Sequence, residues 1–99
     1  MKQQYAFVLL GSEYNPDIHR ATFETSAMVT HIRTACTFEQ AKEVISELYQ
    51  GGVGAVEVCG AFGEERAREL IALTNHQVAI GFVTHLPEQD ALFHRFFGA

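Results

Sequence analysis

The chain has 99 residues, which is room for one domain spanning 1–99 and too little for two. Its 7 basic and 12 acidic residues leave a formal net charge of −5 with no basic stripe, since Arg66 and Arg68 sit among Glu64, Glu65 and Glu69. That balance argues against nucleic acid and anionic membranes as partners, because both require clustered Lys and Arg. Yet 47% of the residues are hydrophobic, a large share for so short a chain, and this predicts burial against a second copy in a homodimer or larger homo-oligomer.

The longest apolar stretch, Tyr5 to Leu10, is strand-sized and too short to span a bilayer. No signal-peptide pattern precedes it, so a cytoplasmic location is expected. Cys36 and Cys59 are too few for a disulfide framework and lack zinc-type spacing, which reads as two reduced thiols.

Taken in order, Tyr5 to Leu10 is a continuous apolar run ended by Gly11, the pattern of a parallel strand buried on both faces. Asn15-Pro16 marks a turn or a short helix start. Residues 18–27 show no clear period. Met28 to Cys36 alternates, with Met28, Thr30, Ile32 and Thr34 on one face and Val29, His31, Arg33 and Ala35 on the other, as in a half-exposed or edge strand. Thr37-Phe38-Glu39-Gln40 is a capping box. It opens a helix whose apolar stripe is Ala41, Val44, Ile45 and Leu48, stopped by Gly51-Gly52.

Val53 to Cys59 is the next strand, and Gly60-Ala61-Phe62-Gly63 turns it into a second helix with an acidic start and Ala67, Leu70, Ile71 and Thr74 inward. Gln77 to His85 is a further strand. Leu86-Pro87-Glu88 then opens a last helix carrying Leu92, Phe93, Phe96 and Phe97. The series predicts an α/β fold: a single-domain, four-stranded, mainly parallel sheet built from βα units. The alternative is an α+β sheet whose first strand pairs antiparallel.

The run Glu57-Val58-Cys59-Gly60-Ala61-Phe62-Gly63 resembles the pattern of a family of small bacterial proteins of about this length and of unknown function. Val58 stands where that pattern has Leu, and Ala61 where it has a second Gly. Pro16-Asp17-Ile18-His19-Arg20 is similar to the same family. The resemblance implies no activity.

In parallel βα sheets, ligands bind at the carboxyl ends of the strands. Those ends here are Gly11-Ser12, Arg33 to Cys36, Cys59-Gly60 and Thr84-His85, with His31 included if its strand is shorter. Glu57 is the most informative residue, a carboxylate in an apolar strand that must find a cation, a proton, a metal or a cleft. His31, Arg33 and His85 are its expected neighbours. Glu57, His85 and Cys59 are the candidate catalytic groups; Ser12, His31, Arg33 and Gly60 are candidate ligand contacts. His31, Glu57 and His85 could in chemical terms hold zinc or iron, but they lack any local spacing motif and no metal is expected. The residues name no cofactor and no reaction. They suggest a small-molecule ligand at the strand ends. The competing reading is a non-catalytic oligomeric binding or scaffold module, with Glu57 a structural ion-pair partner and the terminal phenylalanines a subunit interface.

Overall fold

The computed structural model describes residues 2–98. Their elements are β1 (Gln3–Leu10), β2 (Ala21–Glu24), β3 (Met28–Ala35), α1 (Phe38–Gln50), β4 (Ala55–Val58), α2 (Gly63–Leu73), β5 (Ala79–Phe82), a 3₁₀ turn (Pro87–Gln89) and α3 (Asp90–Phe97). The five strands form one sheet in the order β2-β3-β1-β4-β5. β1 pairs parallel with β3 and β4, and β4 pairs parallel with β5.

The expected four parallel strands are therefore present, and β2 is a fifth, paired antiparallel with β3. The result is a mixed sheet, as in the α+β alternative, but the antiparallel strand is β2 and not β1. β2 escapes a periodicity reading because all four of its residues are exposed. An edge strand is held by backbone hydrogen bonds, which leave no apolar alternation in the sequence. Its presence makes β3 an interior strand.

α1 begins as a capping box should: the Thr37 side chain accepts from the Gln40 N–H at 3.1 Å. Gln40 reaches back one residue further than the motif requires, its Oε1 accepting from Cys36 N–H at 2.8 Å. Ala41, Val44, Ile45 and Leu48 are the buried stripe. They meet Ala6, Val8, Ala35, Val56 and Val58 from the sheet and Leu70 from α2 in one core. Thr74 is buried at the end of α2, its hydroxyl donating to the Leu70 carbonyl at 3.0 Å.

Both helices pack on the same face of the sheet. The opposite face carries no helix among the described residues, which corrects the expectation that β1 is buried on both faces. Ala6 and Val8 point at the helices and are fully buried, whereas Tyr5, Phe7 and Leu9 on the other side are only half-buried. The two connections that contain helices, β3 to β4 and β4 to β5, run in the same direction across the sheet, and crossovers of one hand then lie on one side. The connection from β1 to β3 would cover the other side, but it holds β2 in place of a helix.

α3 leaves the body of the protein. None of its residues is buried, and Phe96 and Phe97 are 80% and 71% exposed. The molecule measures 43 × 26 × 25 Å, with a radius of gyration of 13.9 Å against about 12.6 Å for a compact chain of this length.

Candidate functional site

The pleat of the sheet decides which of the expected site residues meet. In the observed register, β1 pairs Ala6 with His31, Val8 with Arg33 and Phe7 with Glu57. Ala6 and Val8 face the helices, so His31 and Arg33 face them as well. Phe7 points the other way and takes Glu57 with it onto the open face. The expected contact of Glu57 with His31 or Arg33 is therefore absent: the sheet stands between them. A one-residue difference in register would reverse this, and register is a long-range property.

Glu57 is exposed, and its partner is Tyr5, whose hydroxyl donates to Oε1 at 2.7 Å. Burial, the hydrogen bond to Glu57 and the charge of that carboxylate push the Tyr5 pKa up to about 12. The Glu57 side chain occupies the space above Gly81, its pairing partner on β5. Among the described residues no ion pair involves Glu57. His85 is engaged with the C-terminal segment instead, pairing through Nε2 with Asp90 and stacking flat on Phe93 with ring centroids 4.1 Å apart.

The carboxyl ends of the four parallel strands do lie along one rim, and Ser12, Cys36, Cys59 and Gly60 belong to it. His31 is mid-strand and does not. The thiols there have structural partners. The β1–β4 ladder ends at Val8 and Val58, and the next free amide on that side, Leu10 N–H, donates to Cys59 Sγ at 3.3 Å. Cys36 Sγ donates to the carbonyl of Ser12 at 3.5 Å. Gly60 lies where the chain passes close to the Val83 carbonyl at the end of β5. Phe62 is buried beneath the turn and packs edge-on against Phe38, and Lys42 and Arg66 both lie over the Phe38 ring.

Gly63 has φ +76°, the left-handed region that glycine enters without penalty. The Cys-Gly-x-Phe-Gly part of the run is thus accounted for by local structure: a thiol that replaces a ladder bond, a close approach at Gly60, a buried ring and a left-handed entry to α2. Two concave surfaces lie away from this rim. One is bounded by Leu92, Phe93, Phe96 and Phe97 of α3. The other runs along α1 beside Glu43, Glu47 and Leu73. Among the described residues no three His, Cys, Asp or Glu side chains converge as a metal site requires.

On the helix side of β3, His31 is held at both ring nitrogens. Gln4 Nε2 donates to the Gly51 carbonyl at 3.1 Å, which turns Gln4 Oε1 toward His31 Nε2 at 2.8 Å. Nε2 therefore carries the proton, and Nδ1 accepts from the Thr22 hydroxyl at 3.1 Å. Burial, followed by the charges of Arg33 and Arg20, lowers the His31 pKa below the ordinary histidine value. Tyr5, Gln4, Thr22 and Arg20 were not among the expected site residues. Tyr5 reads as one more member of an apolar run, and Arg20 and Thr22 belong to the aperiodic stretch that becomes β2.

No helix among the described residues is long and apolar enough to cross a membrane. No curated protein and no solved structure matches the chain. A family model does, over residues 3–98, which takes in the whole sheet and all three helices: the chain belongs to DUF6506, a family of unknown function.

Proposed function

We propose that this chain acts as a subunit of a homo-oligomer, a non-catalytic binding or scaffold module whose copies join through the open sheet face and α3. The observation that carries this reading is the area left uncovered. The chain exposes 6635 Å², while a compact monomer of 11.0 kDa exposes about 5,600 Å². The excess, roughly 1,000 Å², matches the ~800 Å² per partner of a standard stable interface.

The excess has two sources of complementary shape. Mainly parallel sheets are normally covered on both faces, and here one face presents Tyr5, Phe7, Leu9, Ile32 and Phe23 without a helix above them. α3 is a short amphipathic helix with an aromatic side and no seat in its own chain. Laying α3 of one copy on the open face of another gives the sheet its second layer and the phenylalanines their cover. Charge favours the same arrangement: the last turn of α3 bears Arg95, and the open face bears Glu57.

A small-molecule pocket at the strand ends has less in its favour, because the thiols of that rim are hydrogen-bonded to backbone. Sedimentation equilibrium of the full chain at micromolar concentration tests the proposal. A mass at a whole multiple of the chain's own is expected; a monomer across the concentration range overturns it.

A further inference from the structure

We propose that Arg33, on the helix-facing side of β3, and Arg20, the residue before β2, together form a binding site for an oxyanion, a phosphate or a carboxylate. The site is independent of the self-association surface, which lies on the opposite face of the sheet.

Arg33 is 5% exposed, yet its guanidinium donates no hydrogen bond among the described residues, and its Nε is buried without a partner. Its one ion pair is to Glu47 of α1 at 3.5 Å, and the Glu47 side chain is 64% exposed. A guanidinium offers five donors in a planar fork, and burying it with donors unmet is costly. The interior position of Arg33 therefore calls for more acceptor oxygen than Glu47 supplies at that distance.

Arg20 adds a second cation at the same place. The antiparallel register ends with Ala21 paired to Ile32, next to Arg33 on β3, and Arg20 is the residue that leads into it. The chain stays alongside β3 there, since the Thr34 hydroxyl donates to the His19 carbonyl at 2.7 Å. Arg20 makes no ion pair among the described residues. Two cations gathered at one place repel each other, and here they do so in a chain whose net charge is −5. His31, two residues along β3 from Arg33, feels both guanidiniums: after burial, the charge of each lowers its pKa. An anion with two or more oxygens can bridge Arg20 and Arg33, take up unmet donors and relieve the repulsion, the geometry in which Arg binds phosphate and carboxylate most strongly.

The test is a titration of the full chain with inorganic phosphate, and separately with acetate, at ionic strength held constant with sodium chloride. The His31 ring and the arginine Nε–H signals are followed by NMR. Saturable shifts confined to Arg20, Arg33, His31 and Thr22 are expected with at least one of the two anions, together with a rise in the His31 pKa as the bound charge offsets the two arginines. The anion that saturates identifies the ligand class. Arg20→Gln, at an exposed position, keeps the fold and weakens binding at least roughly tenfold, the scale of one lost charge-assisted hydrogen bond. Shifts that grow linearly and equally with chloride, or saturable binding that Arg20→Gln leaves unchanged, overturn the proposal.

Discussion

The Tyr5 hydroxyl donates to Glu57 Oε1 across the β1–β4 pair at 2.7 Å, on the face of the sheet that α1 and α2 leave open. The phenol is the only side-chain hydrogen-bond partner of that carboxylate among the described residues, and the pair has a measurable signature. Tyr5 should ionise near pH 12, well after an ordinary tyrosine. In Glu57→Gln its pKa should fall but stay above 10, because burial, the largest cause of the shift, survives the substitution. Near-ultraviolet absorbance against pH reads this directly; a Tyr5 pKa indifferent to Glu57→Gln counts against the pair. The sign for stability follows: a folded pKa raised above the unfolded one gives a contribution complete below pH 10 that is lost as pH rises toward 12. Glu57→Gln should itself cost only about 1 kcal/mol, the net worth of one hydrogen bond at a half-open site.

His31 has the opposite pH dependence. Its folded pKa lies below the ordinary 6.5, so the unfolded chain binds the proton more readily. Its contribution to stability is present above pH 6.5 and is lost as pH falls through 6.5 toward the folded value. Melting temperatures of the parent and of His31→Gln, measured from mildly basic to mildly acidic pH, should converge on the acidic side. Curves that stay parallel mean that the neutral ring held by Gln4 and Thr22 carries no such linkage.

Arm and face can be separated by substitution. Phe96→Glu with Phe97→Glu alters side chains that are exposed in the single chain, so folding should survive and the oligomer should fall apart. Phe23→Lys, on an edge strand and 57% exposed, should weaken assembly from the other side. An oligomer that withstands the double substitution means that sheet faces meet each other without α3. Dissociation on the arm substitutions alone, with Phe23→Lys and a second face variant such as Phe7→Lys both neutral and folded by circular dichroism, means that arms pair with arms.

Two helix starts offer a comparison of side-chain and backbone effects. Thr37→Ala removes the oxygen that caps α1 and should cost about 1 kcal/mol in denaturant unfolding. Gly63→Ala adds a methyl that meets nothing within 4 Å, so packing predicts no loss. Its φ of +76° predicts a loss of roughly 1–2 kcal/mol, the cost of a left-handed conformation to an L-residue. A neutral Gly63→Ala would remove the backbone explanation for glycine at that position.

What could be read from residue order is what short-range chemistry governs. The α1 stripe of Ala41, Val44, Ile45 and Leu48 and the Thr37 cap follow from a helical repeat and a hydrogen bond spanning three residues. The parallel strands around β1 follow from apolar runs punctuated by glycine and joined through helices. β2 had no such signal, because an exposed edge strand is specified by its neighbour's open backbone edge and not by its own side chains. The grouping of candidate site residues was also beyond reach. Alternation within a strand tells which residues share a face of that strand, but only the pairing register tells which faces of different strands coincide. That register sets Glu57 against Phe7 and Arg33 against Val8, parting the carboxylate from the cations expected beside it. The phenylalanines of α3 likewise looked the same whether destined for a core or a surface. Their exposure was decided by where the 3₁₀ turn at Pro87–Gln89 aims the last helix, away from a sheet whose second face it leaves open.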